Sequence, residues 1–305
     1  MNKISILTYK MYLVIERGGM MNISKIFIVI LSYGILVISS TRPSTTLVGE
    51  TMHENRKKII IFDLDGVLFK ENKPAFIKKV GFSDLAKYTL RTWSTPENIC
   101  LDTLQCISTQ EVKKHEIPLM HRGRSMPCCI MDWQLGDKDH IQVRQELAQH
   151  IDALAAKNHF KSEQDRDLTK RILDITLNPE HLADITTPIS PMVQLAKQLK
   201  ENGYKLLLLS NLATEHYDIL HAKYPEIAKL FDGRIIISAH VKMLKPHKQI
   251  YQHVLDTYQL KAQECIFIDN QQENVDAALQ CGIVGITHKN VNRTKIELVK
   301  FGIKI

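Results

Sequence analysis

At residues 59–62, and again from about residue 190 onward, the chain shows short runs that are apolar at consecutive positions, which in the later part alternate with longer stretches apolar every third or fourth position. Ile59 to Phe62 is the first short run. It is β-branched and aromatic, too short for a helix, and apolar on both faces of the two-residue strand period, which suits a strand covered on both sides in a parallel sheet. Leu206–Leu209, Arg234–Ser238, Cys265–Ile268 and Ile283–Thr287 repeat the pattern. Helical stripes lie between them: Met192–Asn202, opened by Ser190 and Pro191 and stopped by Gly203, then Thr214–Tyr224, Lys248–Tyr258 and Gln271–Cys281. Strands alternating with helices predict an α/β fold with a Rossmann-like, doubly wound parallel sheet.

From Lys70 to about Thr186 the texture changes, and no run reads as a buried strand. Pro74–Trp93 carries Phe76, Ile77, Val80, Leu85, Tyr88 and Leu90 on a helical stripe broken at Gly81-Phe82-Ser83-Asp84. Asp137–Phe160 and Asp165–Leu177 are further helices, the first started by Asp137-Lys138-Asp139 and the second with Asp165-Arg166-Asp167 as an exposed turn. The predicted organisation is therefore an α/β core from residues 57–70 and 187–305, interrupted by an all-helical cap at 71–186. Residues 1–56 precede it: Ile26–Ile38 is almost continuously apolar, follows Lys25 and ends in Ser-Ser-Thr-Arg-Pro-Ser, the layout of a signal or anchor segment, and a polar linker follows. Membrane contact is expected only through residues 23–40.

Net charge is +7, but the first 60 residues carry +5 of it, eight basic residues against three acidic, and the remainder only +2. The folded part has no basic footprint, and no nucleic-acid partner is expected. Six cysteines, at 100, 106, 128, 129, 265 and 281, show neither Cys-x-x-Cys nor zinc spacing with histidine. They fit a reducing compartment, whereas the apolar leader favours export or membrane anchoring over a cytoplasmic location.

Candidate chemistry sits at strand ends. Asp63 and Asp65 follow Phe62. Side chains two residues apart on a strand point the same way, roughly 6 to 7 Å apart, so both carboxylates are expected to face one small ligand. Two such charges persist together with a cation, a raised pKa or open solvent, and a hard divalent ion such as Mg²⁺ resolves the conflict. Ser210-Asn211, Lys245-Pro246 and Asp269-Asn270 follow later strands. Strands of a parallel sheet share one carboxyl edge, where ligands bind, so groups distant in sequence converge there.

The set Phe62-Asp63-Leu64-Asp65-Gly66-Val67, Leu209-Ser210-Asn211, Lys245-Pro246 and Phe267-Ile268-Asp269-Asn270 resembles the four motifs of the haloacid dehalogenase-like hydrolases, phosphatase branch with a helical C1-type cap. The resemblance implies a Mg²⁺-dependent phosphatase acting on a small phosphorylated metabolite through an aspartyl-phosphate. It implies Asp63 as nucleophile, Asp65 as general acid and base, Ser210, Asn211 and Lys245 as substrate contacts, and Asp63, Asp65 and Asp269 as metal ligands. Asp65 favours phosphate esters over carbon–halogen bonds, whose leaving group needs no proton. Asn270 departs from many family phosphatases, which have a second Asp there. The alternatives are a phosphotransferase or phosphomutase on the same scaffold, or a non-catalytic binding protein with this fold. Within the cap, His121 to Gly136 is rich in turn residues and carries Arg122, Arg124, Asp132 and Trp133. It reads as a loop that either faces the leaving group or lies on the surface.

Overall fold

A computed structural model of the protein describes residues 58–305 apart from 93–94, 112–114, 116–117 and 122. The apolar segment at 23–40, the linker after it and Arg122 lie outside the described residues. No helix among the described residues is long and apolar enough to cross a membrane.

The strands are β1 (Ile59–Phe62), β2 (Phe69–Glu71), β3 (Met120–His121), β4 (Arg124–Ser125), β5 (Thr186–Pro188), β6 (Lys205–Ser210), β7 (Ile235–Ile237), β8 (Cys265–Asp269) and β9 (Val284–Thr287). Five of them form one parallel sheet in the order β7-β6-β1-β8-β9, with Phe62 opposite Leu208 on one side and Ile268 on the other. The alternation of strand side chains divides the core in two. Ile60, Phe62, Leu206, Leu208, Ile266 and Ile268 enter one apolar cluster, while Ile59, Ile61, Leu207, Leu209, Cys265 and Phe267 enter the cluster on the opposite face. The Ser190–Glu201 helix covers the first face with Met192, Leu195, Ala196 and Leu199; the Lys248–Thr257 helix covers the second with Ile250, Tyr251, Val254 and Leu255. This is the doubly wound α/β architecture, built because every central strand is apolar on both faces.

Residues between β2 and β5 are mainly helical and carry a third apolar cluster that includes Tyr88, Leu101, Ile107, Trp133, Leu147, Ile151 and Ile172. The predicted helix over 137–160 is shorter, His140–Ala156: Asp139 accepts from the Gln142 backbone while the Gln142 side chain accepts from the Asp139 backbone, a capping box that sets its start. Asp165 is not the exposed turn expected. It is buried within the Glu163–Leu177 helix and pairs with Arg91 of the Phe82–Thr92 helix. Four short strands, β2 to β5, appear where none was expected. β2 and β5 pair antiparallel, Phe69 opposite Pro188, and form both connections between the insertion and the sheet. Runs of three residues carry no readable period, which is why the sequence did not announce them.

The Thr214–Lys223 helix, which follows β6, carries one apolar-site histidine. His216 is 6% exposed, and neither ring nitrogen has a hydrogen-bond partner among the described residues. Burial holds its imidazole down to about 4. Because this lies below the unfolded value of about 6.5, the stability it reflects is intact above pH 6.5 and is lost as pH falls toward 4. Lowering the pH from 7.5 to 5 is expected to cost the wild type about 2 kcal/mol more than a His216→Leu variant, read from urea unfolding midpoints at the two pH values.

Candidate active site

β6, β1 and β8 lie side by side, and their carboxyl ends bring Ser210, Asp63 and Asp269 to one edge of the sheet. Here the chain has turned back from β7 to build β8 on the other side of β1, a switch in strand order that opens a crevice in such sheets. Asp63 stands one residue past β1, and its backbone N–H donates to the Ile268 carbonyl at 2.9 Å, so the ladder still holds it. Lys245 arrives from the loop after the Ser238–Val241 helix. Its Nζ donates to Asp63 Oδ1 at 2.8 Å, to Asp269 Oδ2 at 2.7 Å and to the Leu209 carbonyl at 3.2 Å.

All three charged groups are buried, with Asp63, Lys245 and Asp269 at 5%, 2% and 0% exposure. Two carboxylates share one ammonium, so the cluster carries one uncompensated negative charge in a site with little water to solvate it. Burial is the main force pushing Asp63 up to about 7; Lys245 opposes it and Asp269 adds to it. Burial also works to lower the Lys245 ammonium, but Asp269 and Asp63 outweigh it and hold the group above the usual lysine range.

The neighbours of the cluster fix its geometry. Asn211 Nδ2 donates to the Lys245 carbonyl and the Lys245 N–H donates to Asn211 Oδ1, both at 2.8 Å. The amide that the sequence assigned to substrate is therefore engaged at both ends by the lysine backbone, and it aims Lys245. Ser210 ends β6 at 1% exposure. Asp269 Oδ1 accepts from the Gln271 N–H at 2.7 Å, and Oδ2 accepts from Asn274 Nδ2 at 3.0 Å as well as from Lys245. Asn274 is 3% exposed and was missed by sequence reading. Its signal was there, a lone amide among the apolar positions of the Gln272–Gln280 helix, one turn after an aspartate-ended strand.

A family model of the haloacid dehalogenase-like hydrolases matches residues 57–282. The chain belongs to this family. It is 35% identical over 111 residues to a sesquiterpene phosphatase of Aspergillus oryzae, a match covering 36% of this chain and 56% of the relative. It is 34% identical over 113 residues to the rat (Rattus norvegicus) bifunctional epoxide hydrolase 2, covering 36% of this chain and 20% of that one. The matched part thus spans about half of the first relative and a fifth of the second. Among solved structures, a HAD family enzyme of Bacteroides thetaiotaomicron in complex with magnesium and inorganic phosphate is 17% identical, with a TM-score of 0.46 and 76% of this chain and 94% of that chain covered.

In this HAD-like hydrolase the first motif does not continue as a strand. β1 ends at Phe62, and Leu64 to Phe69 fold into a tight loop in which the Leu68 and Phe69 N–H groups donate to the Leu64 carbonyl and the Gly66 N–H to that of Phe69. The strand period that seemed to align the two carboxylates therefore does not set the position of Asp65. Asp63 is buried and Asp65 exposed, so one chain turn gives the pair opposite environments. Gly66 makes the turn possible. Its φ is +74°, and a Cβ there would stand 2.0 Å from Asn270 Nδ2 and 2.7 Å from its Cγ. Asn270, the departure from the family pattern, thus packs on the backbone of the first motif. Gly66→Ala is expected to cost about 1–2 kcal/mol from the left-handed backbone alone, with a further loss from the clash. A double-variant cycle with Asn270→Ala should return the clash part and leave the backbone part, read as unfolding free energies.

The segment from His121 to Gly136 is not a loop. It holds the β3–β4 hairpin and the Cys128–Gln134 helix. Arg124 donates to Asp102 at 2.8 Å, and the buried Asp132 pairs with His115 at 3.1 Å and Lys138 at 3.3 Å, so both are engaged inside the insertion. Trp133 reaches the core: its Nε1 donates to Glu215 Oε2 at 3.1 Å, while the His140 ring meets Glu215 Oε1 at 3.0 Å. Beside it the Ser238 hydroxyl donates to the Gln134 carbonyl at 2.6 Å, and Lys242 bonds Asp137 at 2.9 Å. These contacts seat the insertion on the helices that follow β6 and β7.

Proposed function

We propose that this HAD-like hydrolase is a phosphatase that removes phosphate from a small phosphorylated metabolite through an aspartyl-phosphate on Asp63. The observation that carries the reading is the Lys245 ammonium held by hydrogen bonds to both Asp63 and Asp269 at the switch point of the sheet. Attack by an Asp63 carboxylate oxygen on phosphorus forms an O–P bond as the ester oxygen departs with its electron pair. Lys245 Nζ lies beside the attacking carboxylate and offsets the repulsion between two anions. Asp65, exposed in the turn just beyond, donates its proton to the departing oxygen, then takes one from the water that attacks the acyl phosphate and returns Asp63 and inorganic phosphate.

The donor set suits Mg²⁺. Two buried carboxylates with one ammonium leave a negative charge, all donors are oxygens, and a hard divalent cation relieves the pressure that holds Asp63 up at about 7. Asp63, Asp269 and the Asp65 carbonyl would hold the ion, which when bound would add positive charge where the phosphoryl oxygens develop negative charge. The similarity to a sesquiterpene phosphatase supports phosphate-ester chemistry.

Phosphate release from a panel of phosphomonoesters, including sugar, nucleotide and prenyl phosphates, tests the proposal. Turnover of at least one ester with Mg²⁺ is expected, with a loss of more than about 100-fold on chelation. No release from any member would overturn it, and isomerisation without release would point to a phosphomutase.

A further inference from the structure

Within the helical insertion, Glu111, Cys129 and Glu146 place a carboxylate oxygen, a thiol sulfur and a second carboxylate oxygen within 4.8 Å of one another. His150 extends the group: its Nε2 is 3.7 Å from Glu111 Oε1. Glu146 and His150 stand four residues apart on the His140–Ala156 helix, a spacing that puts both on one face. Glu111 follows the Pro96–Gln110 helix, and Cys129 lies in the first turn of the Cys128–Gln134 helix. Three helices and their ends therefore deliver one sulfur and two oxygen donors to one place, with the His150 nitrogen beside the Glu111 oxygen.

The surroundings look prepared for a cation. Cys129 is fully buried, beside two acidic groups. Each carboxylate has one oxygen anchored from outside: Glu111 Oε2 accepts from the Cys128 N–H at 2.8 Å, and Glu146 Oε2 is bonded by Lys138. The second oxygen of Glu111, Oε1, is left toward His150, and such anchoring of one oxygen is the outer support that metal-binding carboxylates use. In a tetrahedral zinc site neighbouring donors lie about 3.3–3.5 Å apart. The 3.7 Å between His150 and Glu111 is close to that; the pairs among Glu111, Cys129 and Glu146 need to close by up to about 1.5 Å, and the His150 ring has to swing further toward Cys129 and Glu146.

We propose that Glu111, Cys129, Glu146 and His150 form a zinc-binding site in the insertion, separate from the Asp63–Lys245–Asp269 cluster. The mixed sulfur, nitrogen and oxygen set selects Zn²⁺ over Mg²⁺, which prefers oxygen alone. Binding forms a zinc–thiolate bond and releases the thiol proton to solvent. The ion would tie the Cys128–Gln134 helix, whose Trp133 bonds Glu215 of the core, to the rest of the insertion.

The test is a Co²⁺ titration of the full-length, reduced protein in excess Mg²⁺, followed by displacement with Zn²⁺. One equivalent should give a thiolate-to-cobalt charge-transfer band and the visible spectrum of a tetrahedral ion, both abolished by Zn²⁺. Cys129→Ser should remove the band, Cys128→Ser should keep it, and His150→Gln, at a half-exposed position, should weaken Co²⁺ binding by more than about 10-fold. Zn²⁺ should raise the melting temperature of the wild type and of Asp63→Asn, but not of Cys129→Ser. A wild type without the band, a band that survives Cys129→Ser, or unchanged affinity in His150→Gln overturns the site. None of these readouts depends on phosphatase activity.

Discussion

Asp63→Asn is expected to lower phosphate release by more than about 10⁴-fold while leaving the protein folded, because it removes the proposed nucleophile and keeps its shape. Asn retains an oxygen that can accept from Lys245 Nζ, now 2.8 Å from Asp63 Oδ1. It also removes one of two buried like charges, so thermal unfolding should show no loss of stability. The measurement that separates chemistry from binding is an equilibrium titration with the substrate identified from the ester panel. The variant should still bind it, since Lys245 and Asp269 remain in place. A variant that keeps most of its turnover would remove Asp63 from the reaction, whatever the fold.

Lys245→Met should be the most damaging single change to stability. It leaves Asp63 and Asp269 buried against each other with no ammonium between them, and breaking a buried ion pair by removing one partner costs about 3–5 kcal/mol. Urea unfolding should show this as a shift in midpoint at unchanged slope. Adding Asp269→Asn to Lys245→Met should recover part of the loss, because the variant then buries one carboxylate instead of two. Activity should not return with it: the cation proposed to offset the charge of an incoming phosphate is gone in both variants. A Lys245→Met protein as stable as the wild type would mean that water reaches the cluster despite its burial.

The two variants interrogate the same three atoms from opposite sides, and the network around them explains how tightly these are held. Asn211 clamps the Lys245 backbone at both ends, Asn274 supports Asp269, and the Tyr251 hydroxyl donates to the Asn274 carbonyl at 2.8 Å. Each link is buried or half-buried. Preorganised charges of this kind need not rearrange as the reaction proceeds.

Much of this protein was legible from residue order. Ile59–Phe62, the Leu206–Leu209 run and Cys265–Ile268 are apolar on both faces, and that alone required a covered parallel sheet with Asp63, Ser210 and Asp269 at one edge. The helical stripes at 74–93, 137–160 and 165–177 were readable for the same reason, since periodicity is a local property, whereas the Pro96–Gln110 helix was not foreseen. Tertiary structure decided the rest. Asp65 left the strand because a loop of backbone hydrogen bonds begins at Leu64, and Asn211 turned to Lys245, which is 34 residues away in sequence. β2 and β5 found each other across the whole insertion, and Trp133 found Glu215 across 82 residues. Such pairings depend on where distant segments meet, and no local period encodes that. Sequence alone thus determined the sheet and which chemical groups gather at its edge, whereas packing decided which of them are buried, which are shared and which face solvent.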